Sequence, residues 1–567
     1  MLDLAIRGGQ VIDGTGSARR TADVGVSGGR VVVIGEIDDV ATRTIDATGM
    51  IVSPGFIDVH THLDVQGFWD TTLSPSPLHG VTSVLGGNCG FTVAPLTDDA
   101  AGYLMRMLAR VEGMPLASLE TGVPWNWHTT AEYLNLLEGR LAVNAGFMVG
   151  HSTIRRVVMG EAATEREATP DELRAMKVLL HDGIAAGGLG FSSTRAQSHN
   201  DAEGRAVPSR HASDAELLEL AAVCREYPGT SLEYIPHIGP TFPEPAVEFM
   251  AQLSVAAQRP LNWNILVPTA TNVDSCQQKL GASDHARALG GKVIGLLMPA
   301  RFSVRLNFLG GFGLDMIPGW GQMIALPPDE KLRRLRDAVH RQELAELARR
   351  APQRRGEWVG RRIVETFTPE TKGYEGRMVG DIATEERKDP FDALLDIVCA
   401  DELRTTFEIP QTDTRADWVA RGKLLRDRRT LVGASDAGAH LDVLGTFNYP
   451  TYLLEHGVRE QEILTTEEGV HLLTQAPAQL YGLRDRGVLV EGAVADMVVF
   501  DEAVVGTESL RSNFDLPTGA PRLYAEATGV AYVVVNGETI VDHGSFTEAR
   551  PGMVLRSGRD TVTPTLG

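Results

Sequence analysis

Ser53-Pro54-Gly55-Phe56-Ile57-Asp58-Val59-His60-Thr61-His62 sets an apolar run directly ahead of two histidines one residue apart. The preceding Thr44-Ile45-Asp46-Ala47-Thr48-Gly49-Met50-Ile51-Val52 reads as the entry to a strand. Side chains alternate faces along a strand, so His60 and His62 point the same way, about 7 Å apart. Two imidazoles on one face of a buried strand end suit a divalent metal such as zinc. A pair of hydrogen-bonded core histidines is the plainer alternative, and the apolar lead-in with its Pro-Gly break weighs against it.

Working outward, strand and helix patterns alternate, which implies a parallel sheet. Eight strand candidates follow one another: 51–60, 81–88, 142–151, 189–194, 230–236, 260–266, 292–299 and 430–438. Thr169-Pro170-Asp171-Glu172 joins an N-cap, an N1 proline and a capping-box glutamate, and Ser213-Asp214-Ala215-Glu216 repeats the box. Eight βα units close into a (β/α)8 TIM-like barrel; an open doubly wound sheet is the weaker alternative. Both chain ends instead carry short β-prone runs between glycine-rich turns, and Val533-Val534-Val535 leads into Asn536-Gly537, a hairpin signal. Neither end has strands enough for a core, so the two are expected to meet in one small β-sandwich. The expected organisation is residues 1–52 and 479–567 in that β-sandwich and 53–478 in the barrel. Connections 91–141 and 300–429 are oversized, as lids or inserted subdomains are. The second carries a basic helical stretch around 329–355.

The chain has 567 residues, too many for one simple core, and 43% are hydrophobic. A net charge of −21 opposes nucleic acid or an anionic membrane as the main partner. The N-terminus shows no secretory pattern, and no apolar run is long enough to span a bilayer. Cys89, Cys224, Cys276 and Cys399 are scattered, as reduced thiols in a cytoplasm would be. The expected partner is a small-molecule substrate, and a homo-oligomer is compatible with everything above.

A (β/α)8 barrel keeps its active site at the carboxyl ends of its strands. Strand one ends in His60 and His62, strand two in Gly86-Gly87-Asn88-Cys89-Gly90, strand three in His151 and strand four in Ser192-Ser193-Thr194-Arg195. Strand five offers Glu233 and, just beyond, His237; strand six offers Asn262 and Asn264; strand eight ends in Asp436 and His440. Asp436 is the natural general base, able to take a proton from an attacking water and pass it to a leaving amine, though a helix cap or turn is its alternative. Cys89 as a thiolate would be a good zinc ligand, or else an inert buried thiol. His151 could be a ligand, a substrate contact or a core residue. Arg195 could clamp a substrate carboxylate or form a surface ion pair. Ser192, Asn262, Asn264 and His440 complete the substrate-contact candidates, with a solvated loop as the alternative for His440. His199 and His211 are more readily solvated than functional.

Taken together these segments resemble the amidohydrolase superfamily and, within it, the D-aminoacylase (N-acyl-D-amino-acid deacylase) family, as a divergent branch. The resemblance runs through Ile12-Asp13-Gly14-Thr15-Gly16, the 54–62 stretch, Gly80-Val81-Thr82-Ser83-Val84, Gly87-Asn88-Cys89-Gly90-Phe91, Val149-Gly150-His151-Ser152-Thr153-Ile154-Arg155, Ser435-Asp436 and Glu491-Gly492-Ala493-Val494-Ala495-Asp496. It implies a zinc enzyme with one or two ions that hydrolyses N-acyl-D-amino acids. Cys89 would then be a metal ligand beside His60 and His62, and Asp436 the catalytic acid/base. The family usually places histidine ligands at strands five and six. Here Glu233 or His237 could replace the first, and Asn262 and Asn264 are poor zinc ligands. A cyclic amidase or deaminase on the same scaffold, or a degenerate ligand-binding barrel, are the alternatives.

Overall fold

All eight expected segments are strands in the structure, a computed structural model that describes residues 1–300, 304–351 and 357–567. In order they are Phe56–Asp58, Val81–Gly86, Asn144–Phe147 continued by Val149–Gly150, Gly190–Thr194, Ser231–Ile235, Leu261–Leu266, Val293–Leu297 and Thr430–Val432. Strands one to three pair in parallel, and strands three to eight form a second parallel ladder. Strand three belongs to both because it breaks at Met148. Beyond strand eight, Asp436 N donates to His60 O (3.1 Å), and His62 N donates to Ala437 O (2.7 Å). The outer ends of strands eight and one therefore also meet, in a TIM-barrel-type arrangement. Helices Pro170–Ala185, Asp214–Val223, Glu244–Ala257 and Val273–Ala288 follow strands three to six. Thr169 and Glu172 form the expected capping box. Ser213 caps its helix, but the box does not close there, because the Glu216 carboxylate turns inward to His151 and Arg155.

Strand one is shorter than its sequence suggests. Ile51–Pro54 pairs with Gln10 and Val11 and with Met497–Phe500, in the sheet of the chain ends. The chain then passes to the barrel at Gly55, where a Cβ would lie 2.1 Å from Thr82 Oγ1. His60 and His62 consequently lie just past the strand rather than on it.

The two chain ends meet, hydrogen-bonded in one nine-stranded sheet. The ten-residue strand Leu2–Val11 explains this. Its first half pairs with Ala41–Asp46, and its second half with Ile51–Pro54, across an irregularity between Ile6 and Gly9. Leu4, Ile6, Val24, Val26, Met497, Val499 and Val534 are all buried in one cluster. Asn536 (φ 47°) and Gly537 (φ 85°) make the expected hairpin turn. The last residues leave this sheet: Val554–Leu555 pairs in parallel with Ala145 and Gly146 of strand three.

Connection 91–141 folds as helices Asp98–Val111, Leu116–Gly122 and Thr130–Leu137. Trp127 is fully buried there, stacked 5.2 Å from Phe68. The long insertion has its own core, in which Trp320, Trp358, Phe391 and Phe407 pack together. Its basic stretch is two helices, Pro328–Arg336 and Ala338–Arg349; residues 352–355 lie outside the described residues. Asn307 bonds Asp442 (2.8 Å), and Phe312 lies 4.4 Å from the His440 ring, so the insertion reaches the outer end of strand eight.

Candidate metal centre

The turn after strand two carries Cys89 between two glycines. Gly87 has φ 75°, and a Cβ on it would come 2.8 Å from the Met148 backbone. Its carbonyl takes the Ser192 hydroxyl, and its N–H donates to Asp64 Oδ2 (3.1 Å). Asn88 donates to the carbonyls of Thr61 and Leu85, tying the ends of strands one and two together. Cys89 N donates to Glu233 Oε2 (2.8 Å), and Gly90 N donates to Ser192 Oγ (3.1 Å). Cys89 thus sits in a turn pinned from the end of strand one and from strands two, four and five.

Against this turn stand the two histidines. Cys89 Sγ lies 3.6 Å from His60 Nε2 and 4.0 Å from His62 Nε2, and all three ligand atoms lie within 4.8 Å of one another. Asp436 Oδ1 is 3.2 Å from His60 Nε2 and 3.8 Å from His62 Nε2. Asn264 Nδ2 lies 3.4 Å from both His60 Nε2 and Asp436 Oδ1. Cys89, Asp436 and His440 all hold left-handed backbone (φ 57°, 52° and 48°), which costs energy for residues with a Cβ and gathers at functional sites.

Electrostatics here are those of buried acids. Burial, then the neighbouring Glu233, Glu112 and Asp436, push the Cys89 thiol well up. Burial raises Glu233 to about 7 and Glu112 well above the usual carboxylate range. Burial also acts to raise Asp436, but its bond to His60 and the charges of His60, His62 and His440 hold it down, at about 2. His60 is raised: burial opposes its charge, and Asp436, Glu233 and Asp58 together outweigh burial. Burial brings His62 down to about 3. No lysine or arginine forms an ion pair with Asp436, Glu233 or Glu112 among the described residues. Two imidazoles, a thiol and acids with no lysine or arginine to neutralise them fit a divalent cation. His60 Nδ1, His62 Nδ1 and Glu233 Oε1 are buried without a hydrogen-bond partner.

The other candidates are used differently. His151 is buried, bonded through Nδ1 to Ser193 (2.8 Å) and through Nε2 to Glu216 (2.9 Å), and Arg155 completes that core network. Arg195 is paired with Asp214 and the Ala212 carbonyl and lies over the Phe249 ring; it makes no contact with the histidine pair among the described residues. Ser192 supports the Cys89 turn, as above. Asn262 is spent on the Leu232 carbonyl and the Tyr481 hydroxyl. His237 is bonded to Gln197 (2.8 Å), away from Cys89. Expected in solvent, His199 is instead held 2.9 Å from Thr194 Oγ1 and 5.1 Å from the Phe91 ring. Sequence reasoning passed over Glu112, whose Oε1 is 3.5 Å from His62 Nδ1, and Asp58, which accepts from His60 N (3.4 Å).

The amidohydrolase family model matches residues 43–541. The chain belongs to that family. A D-aminoacylase of Alcaligenes xylosoxydans xylosoxydans is 28% identical over 98% of this chain and 97% of its own length. An N-acyl-D-glutamate deacylase from the same organism is 30% identical over 98% and 96%. Among solved structures, a D-aminoacylase studied for its binuclear metal centre, with one metal activating and a second attenuating, covers 98% of this chain and 100% of its own (TM-score 0.66, 27% identity). The N-acyl-D-glutamate deacylase of Bordetella bronchiseptica, solved with zinc and a phosphonate mimic of the tetrahedral intermediate, covers the same shares (TM-score 0.65, 26% identity). A D-hydantoinase at 15% identity and TM-score 0.51, covering 99% of this chain and 100% of its own, shares the fold. No helix among the described residues is long and apolar enough to cross a membrane.

Proposed function

We propose that this amidohydrolase removes the acyl group from an N-acyl-D-amino acid or a similar N-acyl compound, using zinc held by His60, His62 and Cys89. The convergence of His60 Nε2, His62 Nε2 and Cys89 Sγ beside Asp436 carries the reading. Its relatives add the substrate class and the metal, since one was solved with zinc. Bound zinc supplies Lewis acidity that polarises a carbonyl and makes water a nucleophile near neutral pH. Asp436 is the proton carrier: one oxygen faces both histidines, and its low affinity for protons keeps it free to take one from the attacking water and deliver it to the departing nitrogen. Asn264 fixes the orientation of that carboxylate. Glu233 anchors Cys89 through one oxygen and keeps the other for a second ion. Sequence position puts His440 and Asn264 at the mouth, where substrate contact belongs, whereas His151, Ser192, Arg195 and Asn262 support the walls. The same reading takes the eight strands as a closed (β/α)8 barrel holding the site at its carboxyl end, with the chain ends as a separate small β domain.

Elemental analysis of the purified protein tests it. One or two zinc ions per chain are expected, with loss on Cys89→Ser. A panel of N-acyl-D- and N-acyl-L-amino acids should show hydrolysis confined to the D series, abolished by chelation and restored by zinc. Near-zero metal in the native protein, or a panel with no turnover, would overturn the reading.

A further inference from the structure

Glu112 is a buried acid that the proposed reaction leaves unused. It ends helix Asp98–Val111, 3% exposed, and its backbone carbonyl accepts the His440 N–H. Gly113 follows with φ 61°, and a Cβ there would meet His440 Cα at 3.3 Å. The end of this helix is therefore pressed against the outer end of strand eight, with its carboxylate turned toward strand one.

Glu112 Oε1 stands 3.5 Å from His62 Nδ1. The other nitrogen of that ring, Nε2, is the one facing Cys89 Sγ (4.0 Å) and Asp436 Oδ1 (3.8 Å). An imidazole that gives Nε2 to a cation keeps its proton on Nδ1, and an acceptor facing that proton fixes both tautomer and ring orientation. The carboxylate has no other side-chain partner among the described residues. Neither His60 Nδ1 nor His62 Nδ1 makes a hydrogen bond, but an acid stands within ion-pair distance of His62 Nδ1 alone among the described residues. Among the described residues, only one of the two histidines thus has an acid standing behind it.

We infer that Glu112 is a positioning residue that holds His62 as its Nδ1–H tautomer with Nε2 presented to the metal. Connection 91–141 then contributes to the site, because the strength of the metal site depends on its packing. The inference rests on the metal reading above, but fails separately from it.

The test is the zinc affinity of the full-length apo protein, measured by competition with a chromophoric chelator, for wild type, Glu112→Gln and Glu112→Ala. Removing such an outer partner should weaken zinc about 10- to 100-fold in E112A. E112Q, which keeps a carbonyl acceptor, should fall between E112A and wild type, with stoichiometry and cooperative thermal unfolding retained in both. An E112A affinity within about twofold of wild type overturns the inference, using the same scale. Should E112A fail to fold, the imidazole 15N shifts of His62 in zinc-loaded wild type decide: a proton on Nδ1 supports the inference, and a proton on Nε2 overturns it. Wild type that binds no zinc at all would refute the metal reading instead.

Discussion

In the proposed reaction Asp436 concentrates the chemistry in one side chain. It is three-quarters shielded, yet burial does not neutralise it, because His60 and His62 face it. Replacing it by asparagine keeps size and the neighbouring contacts but removes the proton acceptor. Asp436→Asn should lower kcat by about 10²- to 10⁴-fold, the usual worth of a positioned acid/base, while metal content stays at the wild-type level. Turnover within threefold of wild type, with metal retained, would remove Asp436 from this role. The same scale shows what a sequence can and cannot display. His60, His62 and Cys89 were legible because each closes an apolar strand with a metal-capable atom. Glu112 was not, since an acid ending an amphipathic helix looks like any solvated charge until the helix end is seen against His62. His151 and Arg195 were ambiguous for the opposite reason: the groups that consume them, Glu216 and Asp214, come from helix Asp214–Val223, which follows strand four.

At the scale of elements, the turns matter more than the strands. The strands were readable from apolar runs bounded by glycine, whereas the break at Gly55 was not, because its cause is Thr82 on the neighbouring strand. The turn after strand eight is equally dependent on contact. Gly438 has φ 94°, and a Cβ on it would lie 2.5 Å from His62 O. Gly492 has a similar φ of 89° with nothing within 4 Å. Gly492→Ala should therefore cost only the strain of left-handed backbone, about 1–3 kcal/mol. Gly438→Ala adds a backbone collision that must push the Asp436 turn off His62. It should lower the melting temperature further than Gly492→Ala and reduce bound metal, which the control should not. Equal melting temperatures and equal metal content in the two variants would show that the close approach of strands one and eight does not shape the site.

For the molecule as a whole, His79 joins three parts of the chain. It ends the short helical turn Ser76–His79 before strand two, bonds Thr451 Oγ1 through Nδ1 (2.7 Å), and bonds the Ala525 carbonyl through Nε2 (3.1 Å). The first partner lies in the helix after strand eight, and the second in the C-terminal β-rich segment. Burial is the main cause that lowers its pKa, to about 4, against the raising effect of the Ala525 carbonyl. A histidine depressed on folding binds its proton more readily in the unfolded chain between the two pKa values. Its contribution is therefore complete above the unfolded value near 6.5, is lost as pH falls toward 4, and changes no further below that. The shift corresponds to at most about 3 kcal/mol. Other groups, His62 among them, also titrate in this window, so the quantity to measure is the difference between wild type and His79→Gln. In denaturant melts at pH 7 the variant should be less stable, and the gap should close by up to that amount as pH is brought from 7 to 4. A gap constant across the range would mean that His79 is protonated alike in both states, and that the junction of barrel, helix and C-terminal segment tolerates charge.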